Sequence, residues 1–337
     1  MRTTTTLLAA LALASPALAQ PTTAYIVEGS AFFAAPGVNF GTVGEVDLAN
    51  PASVTILSTP ADDFRFGGAD IDPNTGGLLA FENSTNALRI LDRTADQQTL
   101  VDSIGWMESG VAGLTFSNDG TIVYAVTNVG GFNRIVEADP ATGQVLAVHN
   151  ILGSALSSLA TVPPGHPTLP AGEIVGLALT GFGTMNFVRL DLETNTVISE
   201  DGLTGVGFNP QFETGLDFAA DGTLYALIQG FRQLGPDTFE EISSHLYTVD
   251  ITAGSVTDLG VVQGDMTWDA VCLALNDGPA PCFADCDGNT VLNVDDVDCF
   301  VNAFVGGDLG LADCDGNGVL NIDDVDCFVA SFVAGCP

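Results

Sequence analysis

The chain contains no lysine, and this absence limits the partners that it can have. Seven arginines face 42 aspartates and glutamates across 337 residues, which leaves a formal net charge of −35. Nucleic acids and anionic lipids are held by cationic side chains, so a surface of this charge repels both. We therefore expect no nucleic-acid partner. Adaptation to salty water explains the acidity, and a cationic partner is the alternative.

Long apolar runs are also missing. No stretch beyond the N-terminus reaches the roughly 18 uninterrupted apolar residues that a membrane span needs, so we expect none. At the N-terminus, Arg2 precedes the apolar run Leu7–Ala14 and the small residues Ala17–Ala19, an order typical of secretory signal peptides. The sequence predicts a signal peptide over residues 1–19 and a protein that is secreted, extracellular or attached to a cell surface.

Cysteine is almost absent from the first 280 residues, where only Cys272 occurs, within an apolar run that predicts a buried free thiol. In an exported chain, the clustering of the others in the last 56 residues indicates a disulfide framework. A 28-residue repeat favours equivalent pairs and leaves the two outermost cysteines to join the ends. The expected pairs are Cys286–Cys299, Cys314–Cys327 and Cys282–Cys336.

Helical periodicity is scarce between residues 22 and 277, where short runs of Val, Ile, Leu, Phe and Tyr alternate with Gly-rich turns. This pattern is typical of an all-β fold. One unit occurs five times: a strand that ends in Asp, then a turn, then a second strand. Four copies have Gly, Asn or Asp four residues after that Asp, where a hairpin turn often needs positive φ. Because an Asp that enters a turn accepts backbone hydrogen bonds, we interpret the recurring residue as structural. The five copies lie at Asp47, Asp92, Asp139, Asp191 and Asp250.

One further strand precedes every copy, and a more buried strand precedes four of them. The buried strand that the first copy lacks occurs after the fifth copy, at Asp269–Asn276. This order resembles that of β-propeller repeat proteins, in which the last strand completes the first blade. We predict a five-bladed β-propeller over residues 20–277. Six blades is the alternative, if one of the inserted loops at 162–170 and 231–244 contains strands.

Any chemistry of the propeller is expected where loops lead into the innermost strands. The candidate catalytic residues there are Glu108, Glu213, Asp265 and Asp269, and the candidate ligand-binding residues are Arg65 and Trp268. Paired carboxylates could hydrolyse a glycosidic bond, and with an aromatic ring they could hold a sugar or a metal. The alternative is that these groups only solvate the channel mouth. No serine-hydrolase, zinc-protease or phosphate-loop motif is present, and the three histidines fall in outer strands or insertions.

The last 60 residues, by contrast, contain a strong motif. The stretches Asp285–Phe304 and Asp313–Phe332 differ at only four positions, and both carry oxygen-bearing side chains at loop positions 1, 3, 5, 9 and 12. This spacing is that of an EF-hand loop, which surrounds Ca²⁺ with oxygen ligands. Thr290 replaces the turn glycine of the first loop, which predicts a more strained first site. The predicted ligands are Asp285, Asp287, Asn289, Val291 (carbonyl), Asn293 and Asp296 in loop one, and Asp313, Asp315, Asn317, Val319 (carbonyl), Asn321 and Asp324 in loop two.

Apolar residues at helical spacing follow each loop. A duplicated loop of this type, with one helix per loop and Asp at position 12, resembles a type I dockerin module over residues 285–336. A short Pro/Gly linker, 278–284, precedes it. The resemblance implies two bound Ca²⁺ ions and a cohesin-like or cell-surface partner, since modules of that family dock onto cohesins and anchor secreted, often polysaccharide-degrading, proteins.

Taken together, these features predict a secreted calcium-binding protein. Its propeller would act as a binding or scaffold domain, with carbohydrate as the candidate ligand. Its dockerin-like tail would anchor it to a surface or an assembly. The alternative is a propeller hydrolase or lyase that acts on polysaccharide through the channel carboxylates. Whether the chain is an enzyme is left open by the sequence.

Overall fold

A computed structural model describes most of the propeller and the tail helices. The described residues are 22–28, 41–58, 66–83, 85–91, 98–103, 110–129, 132–180, 184–235, 238–262, 270–276, 284, 286, 292–307, 312, 314 and 320–334. The predicted signal peptide (1–19) and the predicted pair Cys282–Cys336 lie outside them.

The described strands form five four-stranded antiparallel sheets, the blades of a propeller. Blade 1 contains β1 (Thr23–Glu28), β2 (Val43–Asp47), β3 (Asn50–Ser58) and the distant β20 (Ala270–Asn276). Blade 2 contains β4 (Phe66–Ile71), β5 (Leu78–Glu82), β6 (Ala87–Leu91) and β7 (Gln98–Ser103). Blade 3 contains β8 (Gly113–Phe116), β9 (Val123–Val129), β10 (Phe132–Ala138) and β11 (Val145–Leu152).

The remaining two blades have the same antiparallel order. Blade 4 contains β12 (Ala155–Thr161), β13 (Ile174–Leu179), β14 (Met185–Asp191) and β15 (Thr196–Leu203). Blade 5 contains β16 (Asn209–Phe218), β17 (Leu224–Gly235), β18 (Thr238–Asp250) and β19 (Ser255–Val261). Two helices follow in the tail, α1 (Val294–Gly306) and α2 (Ile322–Ala334).

The innermost strands close the ring. β20 contacts β4, and the contacts continue through β8, β12 and β16 back to β20. Within blade 1, β20 pairs with β1, with Leu273 opposite Ile26 and Leu275 opposite Ala24. The predicted five-bladed propeller with a C-terminal closing strand is therefore confirmed. Neither insertion adds a described blade, because 162–170 is irregular and the described part of 231–244 lengthens the β17–β18 hairpin.

Apolar side chains fill the seams between neighbouring blades. Alternate residues of a strand face opposite sides of its sheet, so each blade contributes to the seam on either side. Ile26 packs toward blade 5, with Leu227 and Leu273, whereas its neighbour Val27 packs toward blade 2, with Phe66. Full burial of one such side chain contributes about 1.5–3 kcal/mol, so the seams hold the ring together.

The recurring aspartates lie where the sequence places them, at turns between the two outer strands. The Oδ1 atoms of Asp47 and Asp250 accept backbone N–H groups of Ala49 and Ala253, both at 2.8 Å. Asp139 and Asp191 do the same, at 2.8 and 3.0 Å. Positive φ occurs four residues later, at Gly143 (69°), Asn195 (56°) and Gly254 (62°). Asp92 lies outside the described residues.

The tail has a small apolar core of its own. The rings of Phe300 and Phe328 stack with centroids 4.2 Å apart, which holds the two helices together. The predicted disulfides Cys286–Cys299 and Cys314–Cys327 are both present, with Cα atoms 5.8 and 5.9 Å apart. Cys272 is a buried thiol outside the disulfides, as predicted. Within the described part of the chain, neither helix has the length and apolar character that crossing a membrane requires.

Candidate functional sites

Little of the predicted site at the propeller mouth can be placed. Arg65, Glu108, Asp265, Trp268 and Asp269 lie outside the described residues. Residue 213 belongs to β16, but the side chain of Glu213 is not described. A catalytic or ligand-binding site on this N-terminal face, where the inner strands begin, therefore stays a prediction.

The central channel is too narrow to hold a ligand. A Cβ atom on Gly68 would lie 2.6 Å from the backbone nitrogen of Leu114, and one on Gly113 would lie 2.6 Å from the Cα atom of Ser158. These glycines let the inner strands approach closely, and the cavity that remains on the axis is about 10 Å³. A single water needs about that volume, so this part of the channel has no room for a larger ligand.

A larger pocket, of about 270 Å³, opens on the C-terminal face, where the inner strands end. Its lining includes apolar side chains from the strand ends, Phe116, Phe218 and Leu275, and the carboxylates of Asp70 and Asp217. It lies at the end of the channel opposite to the predicted site. In the sequence, Asp70 lies in the segment FGGADI and Asp217 in the segment TGLDFA. Nothing in these segments distinguishes an aspartate that faces a pocket from one that enters a turn.

Asp70 and Asp217 occupy equivalent positions in blades 2 and 5, and each joins its blade to the next. The Oδ2 atom of Asp70 accepts the N–H of Phe116 in blade 3 at 2.9 Å, and that of Asp217 accepts the N–H of Leu275 in blade 1 at 2.7 Å. In each case Oδ1 accepts the N–H of the following residue, at 2.7 and 2.8 Å. These bonds hold each carboxylate in one orientation beside the pocket.

The histidines lie away from the channel, as the sequence predicts. His149 on the outer strand β11 contacts Glu137 through Nε2 at 3.0 Å and Asn195 through Nδ1 at 2.8 Å. His245 on β18 pairs with Asp258 at 2.9 Å. His166 lies in the first insertion, and burial lowers its pKa. Among the described residues, therefore, no histidine is placed to act as a base in the channel.

In the tail, the structure describes four of the twelve predicted calcium ligands. Asn293 and Asn321 directly precede α1 and α2, and Asp296 and Asp324 are the third residues of these helices. The Oδ2 atom of Asp296 accepts the N–H of Asn293 at 2.8 Å, and that of Asp324 accepts the N–H of Asn321 at 2.7 Å. This contact is half of a capping box, and it orients both carboxylates toward the preceding loop. The other predicted ligands, Asp285, Asp287, Asn289, Val291, Asp313, Asp315, Asn317 and Val319, lie outside the described residues.

The burial of these two carboxylates fits a cation in each loop. Asp296 and Asp324 are both 0% exposed. Burying an ionised carboxylate is costly unless a positive charge accompanies it. The sequence contains no lysine, arginine or histidine after His245, so the tail has no basic side chain to supply that charge. The donor set is entirely oxygen, which suits Ca²⁺ better than a softer metal.

An apolar groove of about 200 Å³ lies between the two helices. Phe300, Phe304, Phe328 and Phe332 line it, and valines of both helices form its rims. Corresponding residues of the two repeats are exposed almost equally, with Val301 at 49% and Val329 at 51%. Exposed apolar surface of this kind on a small module marks a place where another surface can bind.

No protein-family model matches the chain, and no curated protein is similar to it. Among solved structures it is similar to a chain of hydrazine synthase from Kuenenia stuttgartiensis, with 13% identity, a TM-score of 0.41, and coverage of 65% of this chain and 60% of that one. It is also similar to TolB from Acinetobacter baumannii, with 16% identity, a TM-score of 0.42, and coverage of 71% of this chain and 52% of that one. A third similar structure is a chain of a nidogen/laminin complex, with 11% identity, a TM-score of 0.43, and coverage of 75% of this chain and 97% of that one.

The chain spans less than two-thirds of the first two of these proteins. At such identities and TM-scores the similarities carry no argument about activity. The assignment to the propeller fold therefore rests on the sheet order and the closed ring of inner strands.

Proposed function

We propose that the protein is an exported binding protein whose propeller is attached to a surface or an assembly by a calcium-dependent, dockerin-like tail. The observation that carries the proposal is the pair of fully buried carboxylates, Asp296 and Asp324, in a module without any basic side chain. When bound, calcium supplies the positive charge that these carboxylates need and cross-links each loop to the helix after it.

The tail supplies a surface for attachment. Its groove is apolar; Val305 on its rim is 82% exposed, and Val333, the corresponding residue of α2, is 80% exposed. A partner that covers these side chains would remove apolar surface from water, at about 25 cal/mol per Å². Because calcium and the two disulfides fix the loops that hold both helices, the groove should keep its shape only while calcium is bound.

For the propeller, the described residues favour binding rather than catalysis. The axis is closed, and the two carboxylates in the C-terminal pocket are held by backbone N–H groups. Carbohydrate is the ligand class we propose to test at the propeller. Hydrolase or lyase activity would have to come from the predicted residues on the N-terminal face, and no described residue supports it.

Calorimetric titration of the full chain with calcium tests the attachment module. We expect two ions per chain, and we expect one after either Asp296→Asn or Asp324→Asn, because each change removes a position-12 ligand. Asp298→Asn is the matched control, since it makes the same change on an exposed residue of α1 and should leave two sites. If both ligand variants still bound two ions, the assignment of these residues to calcium would be wrong.

A further inference from the structure

The pocket on the C-terminal face lies at the axis of the ring, and the inner strands of all five blades contribute to it. Its lining includes residues near the ends of these strands, among them Phe116, Phe218 and Leu275. Directly behind it, at Gly68 and Gly113, the channel narrows to a cavity of about 10 Å³. The pocket is therefore a blind cavity of about 270 Å³. Pockets that hold small molecules usually have about 300–1,000 Å³, so a ligand here would be small.

Ring closure does not explain the two aspartates of this pocket. Asp70 and Asp217 each accept a backbone N–H of the next blade, at 2.9 and 2.7 Å. In the strand registers, the corresponding residues of blades 1 and 4 are Ala274 and Ala160. Alanine cannot accept a hydrogen bond through its side chain, yet the inner strands of both blades contact the next blade. A blade therefore closes on its neighbour without an aspartate at this position.

The side chains that line the pocket give it negative charge. They include three carboxylates, Asp70, Asp72 and Asp217, and no arginine or histidine. His166 packs against the ring of Phe218, with ring centroids 5.4 Å apart. Burial lowers the pKa of His166, and its Nδ1 atom accepts two backbone N–H groups, so this residue is mostly neutral near pH 7. Carboxylates between walls of low dielectric constant attract a cation more strongly than carboxylates on an open surface.

An organic cation fits this lining better than a metal ion. Within the described part of the chain, no three acidic, histidine or cysteine side chains are grouped so that they could hold a metal. Calcium, for comparison, takes six to eight oxygen ligands. Phe116, Phe218 and Leu275 offer apolar surface, which an organic group can cover and a hydrated metal ion cannot. The pocket thus combines charge for an ammonium group with apolar walls for the rest of a small molecule.

We propose that the C-terminal pocket binds a small organic cation, with a primary ammonium group beside Asp70 and Asp217 and its apolar part against Phe116, Phe218 and Leu275. The carboxylates accept the N–H groups of the ammonium in charge-assisted hydrogen bonds. Backbone N–H groups hold both carboxylates in place, so little ordering is needed when the ligand binds. The proposal rests on the proposed role of the propeller as a binding domain, and it is independent of the calcium-bound tail.

Calorimetric titration of the full chain in calcium tests the proposal with two matched pairs of ligands. Alkylamines and amino sugars both carry a primary ammonium group, so n-butylammonium is compared with n-butanol, and glucosamine with glucose. We expect one cation per chain, and we expect the neutral member of each pair to bind at least about tenfold more weakly. Tighter binding of glucosamine than of n-butylammonium would support amino sugars as the source of the ammonium group, and the reverse order would support alkylamines.

Asp217→Asn tests the position of the bound cation. The change removes one charge with little change of shape, and it should weaken the binding of either cation by at least about tenfold. Asp221→Asn is the matched control, since it makes the same change at an exposed turn of the same face, outside the pocket lining, and should keep the wild-type affinity. Thermal unfolding establishes whether both variants fold. If Asp217→Asn does not fold, the comparison of charged with neutral ligands on the wild-type chain decides.

Three results would overturn the proposal. The first is that the wild-type chain binds neither cation, and the second is that it binds charged and neutral ligands equally well. The third is that a folded Asp217→Asn variant binds both cations as tightly as wild type does. Binding of a neutral glycan in any of these cases would leave the role of the propeller as a binding domain intact, so a failure of this proposal is distinguishable from a failure of that role.

Discussion

At the scale of single residues, the turn aspartates determine how the outer strands respond to acid. Backbone N–H groups of Ala141 and Thr194 lower the pKa values of Asp139 and Asp191 below the ordinary 3.8. A lowered pKa in the folded state means that the carboxylate contributes stability above the unfolded pKa. That contribution is lost as the pH falls through the folded value. The same bonds that form the turns therefore add to acid sensitivity.

Asp139→Asn tests this relation. Asparagine keeps an acceptor oxygen but cannot ionise, so near pH 7 the variant should be less stable than wild type, by less than about 1 kcal/mol because solvent screens the charge at this turn. The difference should shrink as the pH falls below 3.8, because wild-type Asp139 then becomes protonated too. Urea unfolding between pH 7 and pH 3 measures it. A difference that is constant over this range would assign the effect to packing rather than to charge.

At the scale of elements, the inner strands depend on glycine where they approach one another. A Cβ atom on Gly215 of β16 would lie 2.7 Å from both the backbone nitrogen and the Cβ atom of Leu273 in β20. No rotamer change can relieve a contact with backbone. The closure of the ring is thus limited by one residue at the seam between blades 5 and 1.

Gly215→Ala should therefore destabilise the propeller by about 1–3 kcal/mol, as overpacking does elsewhere. Gly207→Ala is the matched control, because a Cβ atom there has no neighbour within 4 Å. Thermal unfolding of both variants measures the difference. Equal melting temperatures would show that β20 can shift away from β16 without cost.

The disulfides of the tail support a second prediction at this scale. The bond between Cys286 and Cys299 closes a loop of 13 residues, for which chain entropy gives about 3 kcal/mol. Cys286→Ser with Cys299→Ser should lower the melting temperature of the tail and weaken the first calcium site. Cys272→Ala removes a thiol in the propeller core instead and should leave calcium binding unchanged. Calorimetry on both variants separates the two effects.

Local patterns in the sequence predicted the elements better than the surfaces. The Asp-turn repeat predicts five blades, because each copy depends on neighbours a few residues away, and the inner strand missing from the first copy predicts the closure. The pocket on the C-terminal face joins Asp70 to Asp217, and only ring closure brings such distant residues together.

At the scale of the whole molecule, the propeller and the tail obtain their stability differently. The propeller has an apolar core in each of five seams, whereas the described part of the tail has one small core and two disulfides. A module of about 50 residues seldom folds on its core alone, and we propose that calcium supplies the rest.

Calcium removal should accordingly unfold the tail and leave the propeller intact. Without the cation, the buried carboxylates of Asp296 and Asp324 lose their counter-charge, so chelation should remove the tail transition in scanning calorimetry. The propeller transition should keep its temperature, with magnesium as the control ion. A shift of the propeller transition on chelation would place a calcium ion in the propeller as well.

β20 has a mechanical consequence for an attached protein. The strand lies in the centre of the ring, and it is the last part of the propeller before the chain leaves for the tail. When flow pulls on the body and the tail is held, the load passes through Asn276 into β20 and acts along its pairing with β1. In the proposed attachment, we expect extraction of β20 to be the step that opens the ring, and its rate would then limit how long an anchored propeller survives.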